Sequence, residues 1–330
     1  MTSSRKTEVL QLLRNSGDYV SGQQICETLG ISRTAVWKIM NQLKEEGYEI
    51  EAGQNKGYRL NGTPDVLSLA ELQSRVKTRM AGKELLYFDV IDSTNLEAKR
   101  RAEEGAPEGL LIVADKQVAG RGRRGRSWES PAGANIFMTL LLRPSYSADC
   151  VSMVTLVMAL SVAQAIEEVS KLPVRIKWPN DIVVNKKKVV GILTELTMEA
   201  DYVQYMVSGV GINVNQTSFP EEISATASSL YLEKGQKVNR ALLVQKSMEH
   251  FDENYEIFCR TDDMTELIGA YNTLLVNKEV TVRVLDPRGE YEGIAHGINE
   301  KGELIVEKED GSVENVYAGE VSVRGIYGYV

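Results

Sequence analysis

The chain has 330 residues, of which 43% are hydrophobic and 25% charged, and this length predicts two or three domains with ordinary cores. The net charge of −8 excludes a protein that binds polyanions with its whole surface, so any contact with nucleic acid must come from a local feature. The three widely spaced cysteines and two histidines argue against a disulfide framework and against a structural zinc site.

The first 62 residues predict three helices followed by a β-hairpin. Ser21, with Gln24 three residues later, is a capping box that begins the second helix. Gly30 predicts a tight turn, and Ser32 caps the third helix. The hairpin flanks a turn at residues 54–57. This order is typical of a winged helix-turn-helix domain, and a small helical adaptor is the alternative.

One face of the third predicted helix carries groups that bind DNA. Two cations, an amide and a hydroxyl on this face are able to contact phosphates and base edges. Charge alone does not decide, because residues 1–62 hold eight Lys and Arg against seven Asp and Glu. We expect a DNA-binding surface made of Ser32, Arg33, Thr34, Trp37, Lys38, Asn41 and, on the hairpin, Lys56.

After a linker at residues 63–67, strands and helices alternate up to about residue 277. Several strands follow one another without a helix, which favours a mixed sheet. The apolar run at 151–166 is short and interrupted by polar residues, so it predicts a buried helix rather than a membrane span. Residues 278–330 predict a small all-β barrel, because short strands alternate with turn signals. Predicted strands are 84–90, 110–114, 135–142, 175–178, 182–185, 188–196 and 202–210, and predicted helices are 69–79, 95–104, 151–170 and 240–259.

Residues 120–126 hold four arginines interleaved with three glycines. Glycine lets the backbone approach a ligand, and arginine binds phosphate oxygens in a bidentate manner. A basic patch for nucleic acid is the alternative, although the surrounding chain is neutral to acidic. The spacing also matches the dinucleotide fingerprint G-x-G-x-x-G, but that motif needs a following helix and an acid about 20 residues later, and both are missing. We therefore predict a mobile phosphate-binding loop.

Four further segments carry candidate binding groups. Lys177 attracts phosphate, and Asn180 and Asp181 offer oxygens suited to Mg²⁺, although residues 177–181 would also form an ordinary turn. Lys188 enters a buried strand, either as an edge cation or as the partner of a carboxylate. Glycines inside the last two strands of the region, at 191, 209 and 211, indicate a close approach by a ligand. Residues 92–95 cap a helix or bind a ligand.

The set and order of these motifs resemble those of biotin–protein ligases. The motifs are Ser93-Thr94-Asn95, the loop 120–126, residues 177–181, Lys188-x-x-Gly-Ile-Leu and Gly209-x-Gly-Ile-Asn213. With the winged helix, the whole chain is similar to the bifunctional bacterial ligases that also repress biotin synthesis and transport operons. The resemblance implies an α/β multidomain fold. Its parts are a winged helix-turn-helix at 1–62, a mixed α+β ligase domain of the biotin/lipoate type at 68–277, and an SH3-like barrel at 278–330.

The resemblance also implies a two-step reaction. Biotin and ATP, with Mg²⁺, form biotinyl-5′-AMP, and a lysine of a biotin carboxyl carrier domain then attacks this mixed anhydride. The carrier belongs to acetyl-CoA carboxylase, with pyruvate carboxylase as a further candidate. Developing charge on the phosphates requires preorganised cations. The adenylate-bound homodimer would bind operator DNA, and the protein would be cytoplasmic with no membrane contact.

The resemblance assigns roles to individual residues. Arg121, Arg123 and Lys188 are the candidate catalytic residues, and Asp181 and Asn213 are the candidate Mg²⁺ ligands. The predicted biotin site is Ser93, Thr94, Asn95, Gln117, Gly120, Arg121, Arg123, Lys188, Gly191 and Gly209. The predicted nucleotide site is Arg123, Arg124, Arg126, Trp128, Lys177, Asn180 and Asn213, with Trp128 stacking on adenine.

One departure and two alternatives remain open. Some relatives supply a tryptophan to the adenine from the segment after the Gly-x-Gly-Ile-Asn motif, whereas residues 214–230 here offer only Phe219. The alternatives to a ligase-repressor are a ligand-sensing regulator with an inactive ligase domain, and a ligase for lipoate or another acyl group on the same fold.

Overall fold

The computed structural model describes residues 4–62, 64–144, 150–199, 202–286, 289–317, 322–325 and 330. The chain divides into two compact units, residues 1–77 with 239–245, and residues 78–238 with 246–330. The predicted linker includes Thr63, which lies outside the described residues. The predicted domain boundaries at 62, 67 and 277 stay predictions.

The first unit begins with three helices and a hairpin, as predicted. Helices α1 (Arg5–Ser16), α2 (Gly22–Leu29) and α3 (Arg33–Glu45) precede strands β1 (Glu49–Gly53) and β2 (Gly57–Gly62). Serines 4, 21 and 32 occupy the N-caps, and each side chain accepts a hydrogen bond from a backbone N–H three residues later. Helix α4 follows at Leu69–Arg75 and contacts α1.

The second unit is built on a seven-stranded sheet in the order β3-β4-β5-β9-β8-β7-β6. Only β3 and β4 pair in parallel, so the predicted mixed sheet is confirmed. The strands are β3 (Glu84–Phe88), β4 (Leu110–Ala114), β5 (Ile136–Leu142), β6 (Val174–Lys177), β7 (Asp181–Val184), β8 (Lys187–Glu199) and β9 (Tyr202–Ile212).

Six further helices lie within the described residues, and the first six residues of the longest one belong to the first unit. They are α5 (Thr94–Glu103), α6 (Val151–Ser170), α7 (Glu221–Ser224), α8 (Leu230–Lys234), α9 (Arg240–Thr261) and α10 (Ile268–Leu274). By length and composition α6 would suffice to cross a membrane, but most of it is buried inside the protein, as predicted. Helices α7, α8 and α10 were not predicted, because four to seven residues are too few to show an apolar period of 3.6.

The C-terminal strands form an antiparallel sheet in the order β13-β12-β11-β10-β14. Their bounds are β10 (Val280–Leu285), β11 (Tyr291–Ile298), β12 (Leu304–Lys308), β13 (Val313–Val316) and β14 (Ser322–Gly325). The strands and turns that the sequence predicted are therefore present. Closure into a barrel stays a prediction, since β13 and β14 do not pair within the described residues, and 318–321 and 326–329 lie outside them.

Candidate functional site

Two adjoining pockets of about 460 Å³ and 1310 Å³ lie in the second unit. Five residues line both of them, namely Gly122, Arg123, Trp128, Asn180 and Lys188. These residues come from the arginine loop, the β6–β7 turn and β8. The pockets therefore form one continuous site.

The smaller pocket, here the first pocket, collects nearly all of the residues predicted to bind biotin. Only Gly120 is absent from its lining. Gly122, Ile192 and Leu193 lie within the sequence motifs, but neither they nor Val210 were assigned to the biotin site, and all four line it. The predicted residues in this lining are Ser93, Thr94, Asn95, Gln117, Arg121, Arg123, Lys188, Gly191 and Gly209.

A chain of hydrogen bonds runs along the floor of the first pocket. Thr94 N and Oγ1 donate to Gln117 Oε1 at 2.9 and 3.1 Å. Gln117 Nε2 donates to Ser130 Oγ at 3.2 Å, and Ser130 Oγ donates to Trp128 O at 2.9 Å. Ser93 occupies the N-cap of α5, yet its side chain makes no capping hydrogen bond. The capping interpretation of this motif therefore does not account for the Ser93 hydroxyl.

The arginine loop distributes its cations between the two pockets. Arg121 lines only the first pocket, Arg124 and Arg126 line only the second, and Arg123 lines both. The Arg123 guanidinium donates to Asn180 Oδ1 at 3.0 Å, and burial lowers the pKa of Arg123 although the Asp181 carboxylate opposes this shift. Within the loop Gly122 N donates to Arg126 O at 2.7 Å, and the predicted mobility of the loop stays a prediction.

Trp128 lies against two glycines that pair in register on β8 and β9. A Cβ at Gly191 would lie 2.7 Å from the indole ring, and one at Gly211 would lie 2.5 Å from its Nε1. A Cβ at Gly209 would likewise lie 2.0 Å from Asn95 Oδ1. Protein side chains therefore lie beside these glycines, which also line the first pocket, and the expectation that a ligand approaches them stays a prediction.

The Lys177–Asp181 segment is both a turn and a wall of the second pocket. Trp178 is buried, and its Nε1 donates to Gly302 O at 3.0 Å. Asn180 Nδ2 donates to Ile192 O at 3.0 Å, which ties the turn to β8. Lys177 is largely buried and lines the second pocket. The two interpretations of this motif are compatible.

Lys188 is bound to a carboxylate, as one interpretation of its position predicted. Its Nζ lies 2.6 Å from Asp181 Oδ1 and 5.2 Å from the centre of the Trp128 ring. A ligand carboxylate or phosphate would therefore compete with Asp181 for this ammonium group.

The predicted Mg²⁺ ligands, Asp181 and Asn213, both line the second pocket. Asn213 Nδ2 donates to Ser228 O at 3.1 Å, which holds its amide. Across the described part of the chain no group of three or more His, Cys, Asp or Glu side chains is arranged to hold a metal. One carboxylate and one amide fit an ion that is held mainly by the phosphates of a substrate.

Six of the predicted DNA-binding residues lie on α3 or at its N-cap, in the first unit. Arg33, Thr34, Trp37 and Lys38 are exposed along α3, Ser32 caps the helix, and Asn41 is half-buried. Trp37 is 61% exposed, which is high for so large an apolar side chain.

The hairpin adds a cation that the sequence analysis did not name. Lys56 is exposed with its Nζ 5.5 Å from the centre of the Tyr19 ring, and the Arg59 guanidinium lies 4.9 Å from the same ring. Arg59 lies on β2, whose residues do not alternate regularly between buried and exposed. No periodic pattern in the sequence therefore indicated Arg59.

Three family profiles match the sequence. They are the HTH domain over residues 5–59, the Biotin/lipoate A/B protein ligase family over residues 87–213, and the Biotin protein ligase C terminal domain over residues 276–324. A solved structure, the biotin protein ligase from Aquifex aeolicus in complex with biotin and ATP, has a TM-score of 0.66 at 33% identity and covers 74% of this chain and 99% of that one.

Two relatives that are named as bifunctional ligase/repressors match nearly the whole length of this chain. The bifunctional ligase/repressor BirA of Bacillus spizizenii is 40% identical over 326 residues, covering 98% of this chain and 100% of that protein. The bifunctional ligase/repressor BirA of Escherichia coli is 30% identical, covering 96% of each chain. The chain therefore belongs to the family of bifunctional biotin–protein ligases and repressors.

Proposed function

We propose that this protein joins biotin to a lysine of a biotin carboxyl carrier protein through biotinyl-5′-AMP, and that its adenylate-bound dimer represses biotin synthesis and transport operons. One observation carries the proposal. The first pocket combines neutral hydrogen-bonding side chains with three cations, the adjoining second pocket holds five cations, and Arg123 and Lys188 line both. This is the arrangement that an uncharged ring with a carboxylate tail next to a nucleotide requires.

The cations at the junction act on the reacting groups. Bringing a carboxylate to the α-phosphate of ATP places like charges together, and Arg121, Arg123 and Lys188 offset this repulsion. Lys188 would exchange Asp181 for the biotin carboxylate. Mg²⁺, held by Asp181 and Asn213 together with the phosphates, would supply a Lewis acid.

The remaining side chains orient the two substrates. Thr94, Asn95 and Gln117 present hydrogen-bonding groups to the ureido ring of biotin. Arg124, Arg126 and Lys177 bind the phosphates from the second pocket, with Trp128 beside the adenine. Catalysis then comes from orientation and charge stabilisation, since no side chain here needs to form a covalent intermediate.

Incubation with biotin, Mg-ATP and a carrier domain tests the ligase. We expect the carrier mass to rise by one biotinyl group, and pyrophosphate to be released before transfer. Lys188→Met should abolish the release. Lipoate in place of biotin tests the acyl-ligase alternative. Pyrophosphate release with lipoate but not with biotin, or with neither, would contradict the proposal.

A gel shift tests the repressor. The probe is an inverted repeat from a biotin operon, because two winged helices in a dimer contact two half-sites. Ordering of the arginine loop over the adenylate would couple the ligand to dimerisation. We expect biotin plus ATP to tighten DNA binding and to raise the sedimentation coefficient. Binding that ignores both ligands would exclude the adenylate as corepressor.

A further inference from the structure

The side-chain amide of Asn95, in the first pocket, is held by hydrogen bonds to residues on two strands, β5 and β8. Thr139 on β5, Gly209 on β9 and Leu193 on β8 are register neighbours, and the Asn95 side chain lies across Gly209. Thr139 Oγ1 donates to Asn95 Oδ1 at 2.7 Å, and Asn95 Nδ2 donates to Leu193 O at 3.2 Å. The glycine leaves the space that this amide occupies.

The Glu195 carboxylate determines which atom of the Asn95 side-chain amide is the nitrogen and which is the oxygen. Asn95 Nδ2 also donates to Glu195 Oε2 at 2.8 Å, and Lys99 Nζ lies 2.7 Å from Glu195 Oε1. Burial opposes the ionisation of Glu195, but the hydrogen bonds from Lys99 and Asn95 outweigh it and lower its pKa. A backbone carbonyl and an ionised carboxylate only accept hydrogen bonds. The end of Asn95 that faces them is therefore the NH₂ group.

Thr94 and Asn95 form one wall of the first pocket. The same hydrogen bonds determine whether this wall donates hydrogen bonds to a ligand or accepts them from it. Both Asn95 amide hydrogens are used by Leu193 and Glu195. The Thr94 hydroxyl gives its hydrogen to Gln117 Oε1. Thr94 and Asn95 therefore present lone pairs to the first pocket and no spare hydrogen. Such a wall accepts hydrogen bonds from N–H groups of a ligand and does not donate to a ligand carbonyl.

We propose that Thr139 and Glu195 are positioning residues that fix the Asn95 carboxamide and so make this wall selective for a neutral ring with N–H donors. The inference rests on the proposed function and deepens it. Thr139 is fully buried and is absent from the lining of both pockets. It acts through Asn95 Oδ1, to which it donates, and through Thr94 Oγ1, which lies 2.8 Å from Thr139 Oγ1.

Thr139→Val removes the hydroxyl and keeps the shape of the side chain. We expect the Kd for biotin, measured by calorimetry on the full chain, to rise about tenfold, as the loss of one well-formed hydrogen bond allows. The KM for biotin should rise in parallel, while kcat at saturating biotin stays within about twofold. Thr139→Ser keeps the hydroxyl and should restore the parental Kd, which a role in packing alone would not produce.

A ligand change sharpens the test. Methylation of one ureido nitrogen of biotin removes an N–H donor, so it should weaken binding to the parent more than to Thr139→Val. An equal loss in both proteins, or a Thr139→Val variant that binds biotin as the parent does, would overturn the inference. A parent that fails to bind biotin would instead contradict the proposed function.

A second pair of variants covers the case in which Thr139→Val does not fold. Glu195 is partly exposed. Glu195→Gln retains an acceptor for Asn95, and Glu195→Leu does not. We expect only the leucine variant to lose affinity for biotin and selectivity against the methylated analogue. Equal affinities in the two variants would overturn the inference.

Discussion

Gly211 shows at the scale of one residue how the protein's own packing constrains the site. A Cβ there would overlap the Trp128 indole. We expect Gly211→Ala to displace Trp128 and to weaken ATP binding about tenfold, since overpacking costs about 1–3 kcal/mol. Calorimetric titration with ATP measures the loss. Gly269→Ala is the control, because nothing lies within 4 Å of its Cβ position. Equal affinities for ATP in the two variants would contradict the packing argument.

Arg123 joins the two pockets through a single half-buried guanidinium. Arg123→Gly removes a charged donor, a contact worth about 1.5–3 kcal/mol. We expect biotinyl-5′-AMP to leave the variant at least about tenfold faster and to label nearby lysines without selection. Free adenylate in the filtrate and biotin on unrelated proteins are the measurements. Release at the parental rate would show that other groups retain the adenylate.

Helix α4 depends on a buried charge cluster in the first unit. Glu71 is fully buried and accepts from Arg14 at 3.0 Å, from Tyr48 Oη at 2.7 Å and from Arg75. Burial and the Glu71 carboxylate raise the pKa of Tyr48, which keeps its hydroxyl protonated. The cluster ties α4 to α1 and to the segment before β1.

Glu71→Ala would leave Arg14 and Arg75 facing each other without their shared anion. We expect the free energy of unfolding of the first unit to fall by about 3–5 kcal/mol. Denaturant titration followed by Trp37 fluorescence measures it. Glu46→Ala is the control, because Glu46 pairs with Lys6 at the surface and should cost less than about 1 kcal/mol. If Glu71→Ala and Glu46→Ala lowered the free energy of unfolding by similar amounts, the argument that burial makes the Glu71 cluster important would be contradicted.

Elements made of an apolar run with clear flanking signals were predictable, whereas the shortest helices were not. Strand β4 and helix α6 have the predicted ends, because such a run defines each of them. Helix α4 ends at Arg75 and not at residue 79, since residues 79–81 instead bind the Asp252 carboxylate with their backbone N–H groups. Asp252 is distant from residues 79–81 in the sequence, so no local pattern predicted this interaction.

At the scale of the whole molecule, the two proposed activities belong to different parts of the chain. Deletion of residues 1–62 removes α1–α3 and the hairpin, together with Arg14 and Tyr48, the partners of Glu71. We expect operator binding to disappear in a gel shift and adenylate formation to persist, because both pockets lie in the second unit. DNA binding by the truncated protein would place the DNA-binding surface elsewhere.

The sequence by itself determined the family and predicted most of the residues that line the first pocket, because glycine, arginine and polar motifs follow one another in a specific order. Only the tertiary structure revealed which side chains lie beside the glycines, which partner Lys188 holds, and how Thr139 and Glu195 contact Asn95. These relations join residues that lie 7 to 114 positions apart. Strand register sets such contacts, and one shift of register would turn every side chain to the other face.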